Sequence, residues 1–180
     1  AQKGIELVLH ALPPFLRDGS CQAVVLGEGD PPYAEALQQL AADMPGRFAF
    51  IPAHSESIAR LIFAGSDAFL VPSLYEPCGL TQMYALRYGS VPIVRDTGGL
   101  RDTVTHFDPH SGVGTGSVFR DADTGGLSWA ISQVLAWYQQ PSAWQRLRHN
   151  GMQADFSWTH QTPHYLALYR RLAGFEAQAS

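Results

Sequence analysis

The sequence predicts an α/β fold built on a doubly wound, Rossmann-like parallel sheet. Short apolar runs alternate with stretches of helical periodicity, an order that is typical of parallel sheets covered by helices on both faces. The runs predicted as strands are 22–27, 47–53, 67–73, 91–97 and 114–121. Hydrophobic residues make up 46% and charged residues 16% of the 180 residues, which agrees with one globular domain.

Helices are predicted between these strands from the spacing of apolar residues. The first is predicted from the apolar face that begins at Ile5, and it ends before Gly19. The others are 31–43, 55–65, 79–88, 124–139, 141–153 and 161–173. Asp30 and Ser55 are predicted N-caps, because short oxygen-bearing side chains can accept the free amides of a first helical turn.

The composition argues against several classes of function. A net charge of −4 disfavours a nucleic-acid surface, which would need a basic stripe. Eleven of the twelve basic residues are arginine, and the only lysine is Lys3. The sequence contains no apolar run of the roughly 18 residues that a membrane helix needs. Two cysteines, Cys21 and Cys78, are too few for a disulfide scaffold and favour a reducing compartment. The sequence does not begin with Met, so we expect a piece of a longer chain.

The stretch PSLYEPCGLTQMYALRYG, residues 72–89, runs from the end of the third predicted strand into a helix. Free backbone amides at a helix start favour an anion such as phosphate, and Gly79 leaves room for close approach. Leu80 and Thr81 follow it, and Thr81 adds a hydroxyl donor. Glu76 would repel phosphate and is better suited to hold sugar hydroxyls. The alternative is an ordinary strand–helix turn, and the pattern alone leaves both open.

Lys3 lies just before the first predicted helix, where the helix dipole disfavours a positive charge. An anionic ligand would remove that cost, whereas the simpler interpretation is a solvated surface lysine.

Other motifs give weaker signals. GEGDP, residues 27–31, is part of a nucleotide-binding glycine loop but lacks the full pattern, and TGGL, residues 97–100, is predicted to be a turn. Two histidine pairs are four residues apart, His106 with His110, which have Asp108 between them, and His160 with His164. Metal binding needs a third ligand and a rigid frame, whereas the first pair lies in a glycine-rich loop and the second on an amphipathic helix, so we expect no metal site. Cys78 has no evident histidine partner and is interpreted as a small residue packing the loop.

Four segments that together cover nearly the whole chain resemble bacterial glycogen synthases and plant starch synthases. They are QKGIELVLHAL, GEGDP, DAFLVPSLYEPCGLTQMYALRYGSVPIVRDTGGLRDTV and DFSWTHQTPHYLALYRRL, of which the third, residues 67–104, is the most specific. These enzymes are retaining glycosyltransferases of the GT-B architecture, with two Rossmann-like domains facing a cleft. The resemblance implies that residues 1–180 are the C-terminal, nucleotide-sugar-binding domain, without the N-terminal acceptor domain.

The resemblance also implies roles for particular residues. Lys3 would bind the diphosphate of the donor and offset the charge of the departing nucleotide. Glu76 would hold hydroxyls of the donor glucose, and Gly79, Leu80 and Thr81 would offer donors to the distal phosphate. Cys78 belongs to the same substrate-binding loop. The family uses no metal and no further cofactor in this transfer.

The sequence departs from the wider family pattern in three places. Many retaining relatives hold the ribose with a glutamate eight residues after the first, and here Tyr84 stands at that position. His54 stands where an aromatic ring often stacks on adenine. A strand and an arginine that should precede QKG are absent. In the usual order that strand is central, so its absence would leave a gap between strands 22–26 and 67–71.

We therefore expect a fragment of a glycogen or starch synthase that transfers glucose from ADP-glucose to an α-1,4-glucan with retention. The expected partners are the donor, the glucan and the N-terminal domain, with no nucleic acid and no membrane. The expected location is the bacterial cytoplasm, with a plastid as the alternative. The functional alternatives are another GT-B enzyme using UDP-glucose, a nucleotide-sugar epimerase and a non-catalytic nucleotide-sugar-binding module.

Overall fold

Five short strands carry the architecture, and all their pairings are parallel. The computed structural model of the chain describes residues 2–174. The strands are Ala23–Leu26 (β1), Phe48–Ile51 (β2), Ala68–Val71 (β3), Val91–Arg95 (β4) and Ser117–Phe119 (β5). The helices are Ile5–Ala11 (α1), Pro13–Arg17 (α2), Pro31–Asp43 (α3), Glu56–Gly65 (α4), Thr81–Tyr88 (α5), Gly98–Thr103 (α6), Thr124–Tyr138 (α7), Pro141–Gln153 (α8) and Trp158–Leu172 (α9). The α/β class with alternating strands and helices is confirmed.

The strands form two separate sheets. β1 pairs with β2, and β3, β4 and β5 form a three-stranded sheet in that order. The division lies between β1 and β3, where the sequence analysis expected the gap. Val24 of β1 is 37% exposed, and the side chains of Ala68, Phe69 and Leu70 in β3 are only partly buried. β3 is therefore only partly covered.

Helices cover both faces of the three-stranded sheet, as the alternating side chains of β4 show. Val91 and Ile93 belong to the larger core, which includes residues of α1, α2, α3, α7 and α8. Val94 points to the other face and belongs to a smaller core with Leu86 of α5 and Leu100 of α6. This is the doubly wound arrangement that the sequence predicts.

The first predicted helix is interrupted. It is divided at Leu12 into α1 and α2, because Pro13 and Pro14 have no amide hydrogen to continue the hydrogen-bond ladder of α1. The apolar periodicity survives the interruption, since Val8, Leu12 and Leu16 all remain in the core. The prediction of one continuous helix to Gly19 was therefore wrong, although its buried face was correct.

Three further differences concern helix ends. TGGL is not a simple turn, because Gly98 begins the short helix α6. The last helix begins at Trp158, three residues before the predicted start at 161, with Ser157 accepting the amide of His160. Ser55 caps α4 by accepting the amide of Ile58, as predicted, whereas Asp30 occupies the N-cap position of α3 without a side-chain hydrogen bond.

The C-terminal ends of β3 and β4 bring two connections together. The loop after β3 leads to α5, and the residues after β4 lead directly into α6. In an open parallel sheet, ligands bind at the C-terminal ends of the strands. None of the helices in residues 2–174 combines the length and apolar character that crossing a bilayer requires.

Candidate functional site

The two candidate catalytic residues form an ion pair. The Lys3 ammonium Nζ lies 2.6 Å from Glu76 Oε2, and the Ser73 hydroxyl donates to the same oxygen over 3.1 Å. The Glu76 side chain is 11% exposed and that of Lys3 is 62% exposed. Glu76 Oε1 makes no hydrogen bond to any of residues 2–174. One carboxylate oxygen is thus anchored, and the other has no partner among the described residues.

The start of α1 is fastened to the loop that carries Glu76. The amide of Leu74 donates to the carbonyl of Gln2 over 2.8 Å, and the Gln2 side chain donates to the carbonyl of Tyr75. Gly4 has a left-handed φ of 68°, and a Cβ there would lie 2.1 Å from the carbonyl oxygen of Pro72. Only glycine permits this approach, which places Lys3 against Glu76.

The ion pair explains how a lysine is tolerated at the start of a helix. The sequence analysis expected an anion to relieve the repulsion between Lys3 and the α1 dipole. Glu76 supplies that negative charge from the chain itself. Because Lys3 is largely exposed, its remaining N–H groups can still reach a bound anion.

The N-terminus of α5 presents backbone amides that are unpaired within residues 2–174. Leu80 is the N-cap residue and gives no side-chain cap, so the first-turn amides are not satisfied by a side chain at that position. Within the part of the chain that the structure describes, no acceptor is found for the amides of Gly79, Leu80 and Thr81. Gly79 is left-handed with a φ of 73°, and Thr81 is exposed. These three residues form one surface suited to an anion.

Two glycines that the sequence analysis assigned to a turn pack α6 against the same loop. The Gly99 amide donates to the carbonyl of Glu76 over 3.0 Å. A Cβ on Gly98 would lie 2.1 Å from the Glu76 carbonyl oxygen, and one on Gly99 would lie 2.0 Å from that of Cys78. The two adjacent glycines therefore let the backbone of α6 pack directly against the loop between Glu76 and Cys78.

The other two predicted binding residues, Tyr84 and His54, are both exposed but lie on different elements. Tyr84 is 49% exposed on α5, and its ring meets Phe63 edge-on with centroids 5.9 Å apart. His54 is exposed after β2, directly before the cap of α4. Leu80 and Tyr84 also line a cleft of about 590 Å³ between α5 and residues 152–157, and neither Lys3, Glu76 nor His54 lines it. The structure leaves both rings accessible to a ligand.

Cys78 does not pack the loop as expected. Its side chain is exposed, and the thiol makes only a 3.7 Å contact with the carbonyl of Gly79. The loop is held instead by two groups of hydrogen bonds. The Gly99 amide donates to the carbonyl of Glu76, and the Gln82 carboxamide donates to the carbonyls of Cys78 and Gly79.

Sequence reasoning missed Ser73 and Gln82. Gln82 lies on the inner face of α5 with Ala85 and Leu86, so a polar residue at the spacing of buried apolar ones was the available signal. Ser73 gave no such signal, because a serine after a strand is an ordinary loop residue. Its partner, three residues away, becomes evident only in the folded loop.

Of the four paired histidines, His106 has a structural role. His106 Nδ1 accepts the amide of Val118, and its ring stacks on Trp129. Burial lowers the pKa of His106 below its usual value. The ring centroids of His160 and His164 lie 6.1 Å apart on α9. Within residues 2–174, no three His, Cys, Asp or Glu side chains group as metal ligands would.

The fold and the site together define a Rossmann-like domain in which, among the described residues, unpaired backbone amides and a carboxylate lie beside each other at the C-terminal ends of the strands. Comparison with known proteins identifies its class. Residues 1–151 match the family described as glycosyl transferases group 1, and the chain belongs to this family. Its fold is that of the C-terminal domain of a GT-B glycosyltransferase.

Curated relatives are similar over nearly the whole chain. The glycogen synthase of Rhodopseudomonas palustris is 47% identical over 174 residues, covering 95% of this chain and 35% of that protein. The glycogen synthase of Granulibacter bethesdensis is 45% identical over 174 residues, covering 95% of this chain and 36% of that protein. The chain therefore spans about a third of the length of the curated relatives it matches.

A solved structure is also similar. The catalytic domain of starch synthase IV from Arabidopsis thaliana, bound to ADP and acarbose, superposes with a TM-score of 0.84 at 35% identity. The match covers 94% of this chain and 36% of that one. The chain thus resembles glycogen and starch synthases in sequence and in fold.

Proposed function

We propose that the chain is the donor-binding domain of a glycogen or starch synthase. The enzyme would transfer glucose from ADP-glucose to the non-reducing end of an α-1,4-glucan. The observation that carries this proposal is the Lys3–Glu76 ion pair beside the open amides of α5. It joins a group for phosphate with a group for hydroxyls, which is what a nucleotide-sugar requires at its glycosidic bond.

In this proposal the two sides of the pair act on different parts of the donor. The free oxygen of Glu76, Oε1, would accept hydrogen bonds from glucose hydroxyls. Lys3 would neutralise negative charge that develops on the diphosphate as its bond to glucose breaks. The amides of Gly79 and Leu80 and the hydroxyl of Thr81 would hold the distal phosphate. Donors already in place cost no reorganisation during the reaction, which is why such groups accelerate it.

The retained configuration would follow from a same-face, ion-pair-like substitution. Glu76 Oε2 already bonds Lys3 and Ser73, which suits a group that holds the sugar rather than one that attacks it. Glu76 is therefore assigned to binding and electrostatic stabilisation, without a covalent glucosyl intermediate.

The rest of the enzyme would supply the acceptor site. The helix α9 supports this, because none of its residues is buried and it exposes Trp158, Tyr165, Tyr169 and Leu172 by 52% or more. The split between β1 and β3 supports it too, since a strand preceding residue 1 would join the two sheets. An N-terminal domain of the same protein would then face Lys3 and Glu76 across a cleft.

The choice of nucleotide rests on the similar starch synthase, whose structure contains ADP. UDP-glucose is the alternative donor, and a non-catalytic nucleotide-sugar-binding module is the alternative class. The Lys3–Glu76 pair favours a nucleotide-sugar over a nucleotide alone, because a simple phosphate cradle has no use for Glu76. The bacterial glycogen synthases among the relatives favour a bacterial cytoplasmic location.

A direct assay tests the proposal. The full-length protein containing this chain is supplied with glycogen and either ADP-glucose or UDP-glucose, and incorporation of glucose is measured. We expect transfer from ADP-glucose to predominate, with α-linked product. Transfer from UDP-glucose alone would select the alternative donor, and binding of both without transfer would select the non-catalytic module.

A further inference from the structure

Gln82 is a polar side chain on the buried, otherwise apolar face of α5. It lies in the first turn of α5 and is 0% exposed. Its Nε2 donates to the carbonyls of Cys78 at 3.2 Å and Gly79 at 3.1 Å, and it lies 3.0 Å from the Thr103 hydroxyl. Among the described residues, its buried Oε1 has no hydrogen-bond partner. A buried orphan of this kind is unfavourable and calls for an explanation.

The contacts fix the orientation of the carboxamide. Thr103 donates its single hydroxyl hydrogen to the carbonyl of Gly99 over 2.6 Å, so it can only accept from Gln82. The two loop carbonyls are acceptors as well. Every neighbour within hydrogen-bond reach therefore requires the amino group and none can pair with Oε1. One chain of hydrogen bonds thus joins α6, through Thr103 and Gln82, to the loop before α5.

This chain determines where the loop amides point. In a trans peptide, the carbonyl of one residue and the amide of the next point in opposite directions. Gln82 draws the carbonyls of Cys78 and Gly79 inward, so the amides of Gly79 and Leu80 must face outward. These are two of the amides left without an acceptor in the described part of the chain.

The loop has little space for another arrangement. A Cβ on Gly79 would lie 2.6 Å from Gln82 Oε1, so the backbone at Gly79 rests directly on the carboxamide. On the other side, the Gly99 backbone supports Cys78 with no room for a methyl group. Gln82 and Gly99 therefore hold the two peptide groups from within the protein.

We propose that Gln82 is a positioning residue of the donor site, which orients the amides of Gly79 and Leu80 toward the distal phosphate of a nucleoside diphosphate-sugar. This inference rests on the proposed function for the identity of the ligand. It assigns to Gln82 a role that does not require contact with the ligand. Oε1 is unpaired among the described residues because the amino group is turned toward three acceptors, which share its two N–H donors.

The test compares ADP with AMP, which lacks the distal phosphate, as ligands of the full-length protein. Gln82→Met keeps length and apolar volume but removes both N–H donors. We expect its Kd for ADP to rise about tenfold, because the amides of Gly79 and Leu80 would lose roughly two ordinary hydrogen bonds to the distal phosphate. Its Kd for AMP should change less than about twofold. Equal weakening of both ligands, or of neither, would overturn the proposal.

Thr103 supplies a second pair of variants in case Gln82→Met folds poorly. Thr103→Val removes the hydroxyl at constant shape and should weaken ADP in the same selective way. Thr103→Ser restores the hydroxyl and should recover most of the affinity. Ser90→Ala is the matched control, because Ser90 is also buried after α5 and its hydroxyl has no partner in residues 2–174. It should leave both Kd values unchanged.

Crystal structures of the wild-type protein and of Gln82→Met test the inference without any ligand. We expect the peptide groups on either side of Gly79 to rotate in the variant, and an unchanged orientation would overturn the proposal. If wild-type protein failed to bind ADP while the variant loop still rotated, the proposed function would fail and the positioning role would stand.

Discussion

Lys3 and Glu76 lie 73 positions apart in the sequence, yet Nζ and Oε2 are 2.6 Å apart in the folded chain. The pair joins the start of α1 to the loop after β3. It combines an exposed cation with a nearly buried carboxylate, so the cation can turn to a ligand while the carboxylate stays fixed. This asymmetry is the basis of the predictions for the site.

Replacing Lys3 with Ala should reduce catalysis far more than stability. Loss of one preorganised group at a developing charge typically costs about 10²–10³ in turnover. An ion pair with so exposed a cation contributes only about 0–1 kcal/mol to folding. We would measure kcat with ADP-glucose and the melting temperature of the full-length variant. Arg60→Ala, which removes the exposed Arg60–Glu56 pair, is the control and should change neither. A large loss of stability with turnover per folded molecule intact would contradict the assignment.

Replacing Gly99 with Ala should damage the loop that carries Glu76. The new Cβ would meet the carbonyl oxygen of Cys78 at 2.0 Å, and overpacking of this kind costs about 1–3 kcal/mol or more. Chemical denaturation would measure the change. Gly29→Ala is the control, since a Cβ there has no neighbour within 4 Å, and its unfolding free energy should not fall. Equal stability of the two variants would show that the close approach is not required.

The stability of the domain should fall as the pH is lowered below the ordinary histidine pKa of about 6.5. Burial lowers the pKa of His106, so the unfolded chain binds a proton at a higher pH than the folded one. The stabilisation is complete above the unfolded pKa and is lost as the pH falls toward the folded pKa. Protonation of Nδ1 would also place a proton against the Val118 amide.

Denaturant unfolding between pH 7.5 and pH 5.5 would check this effect in the wild type and in His106→Gln. We expect a shallower pH dependence in the variant, because one titrating group has been removed. The same slope in both proteins would mean that His106 does not contribute.

The 180-residue chain alone should not transfer glucose. The proposed acceptor site lies outside it, and the described strands form two separate sheets that are not joined to each other. Incubation with ADP-glucose and glycogen should yield no incorporation above background. Measurable transfer by the isolated chain would contradict the proposed division of labour between two domains.

Much of the fold could be predicted because its signals are local. Apolar runs and helical periodicity locate every strand from β1 to β5, and Ser55 marks the start of α4. Errors arose where a local rule competed with another. Pro13 interrupts a helix whose apolar face continues, and the glycines of TGGL begin a helix because α6 must approach the loop closely.

The site was harder to predict in full, because its organisation depends on contacts across the chain. The motif suggested Glu76 as a group for sugar hydroxyls and the N-terminus of α5 as a group for phosphate. The resemblance assigned Lys3 to the diphosphate. The contact of Ser73 with Glu76, and that of Gln82 with Thr103, become apparent only when the loop and α6 are folded together. Cys78 was expected to pack the loop, but its thiol is exposed, because the burial of a loop side chain depends on contacts that the sequence does not show.

The most direct test of the account is the turnover of the full-length enzyme carrying Glu76→Gln. This change preserves the shape of a residue that is 8% exposed while removing the charge that holds Lys3 and would accept glucose hydroxyls. We predict that kcat with ADP-glucose falls by about 10²–10³, with the melting temperature nearly unchanged. Wild-type kcat in a correctly folded variant would contradict the claim that Glu76 is part of the catalytic site.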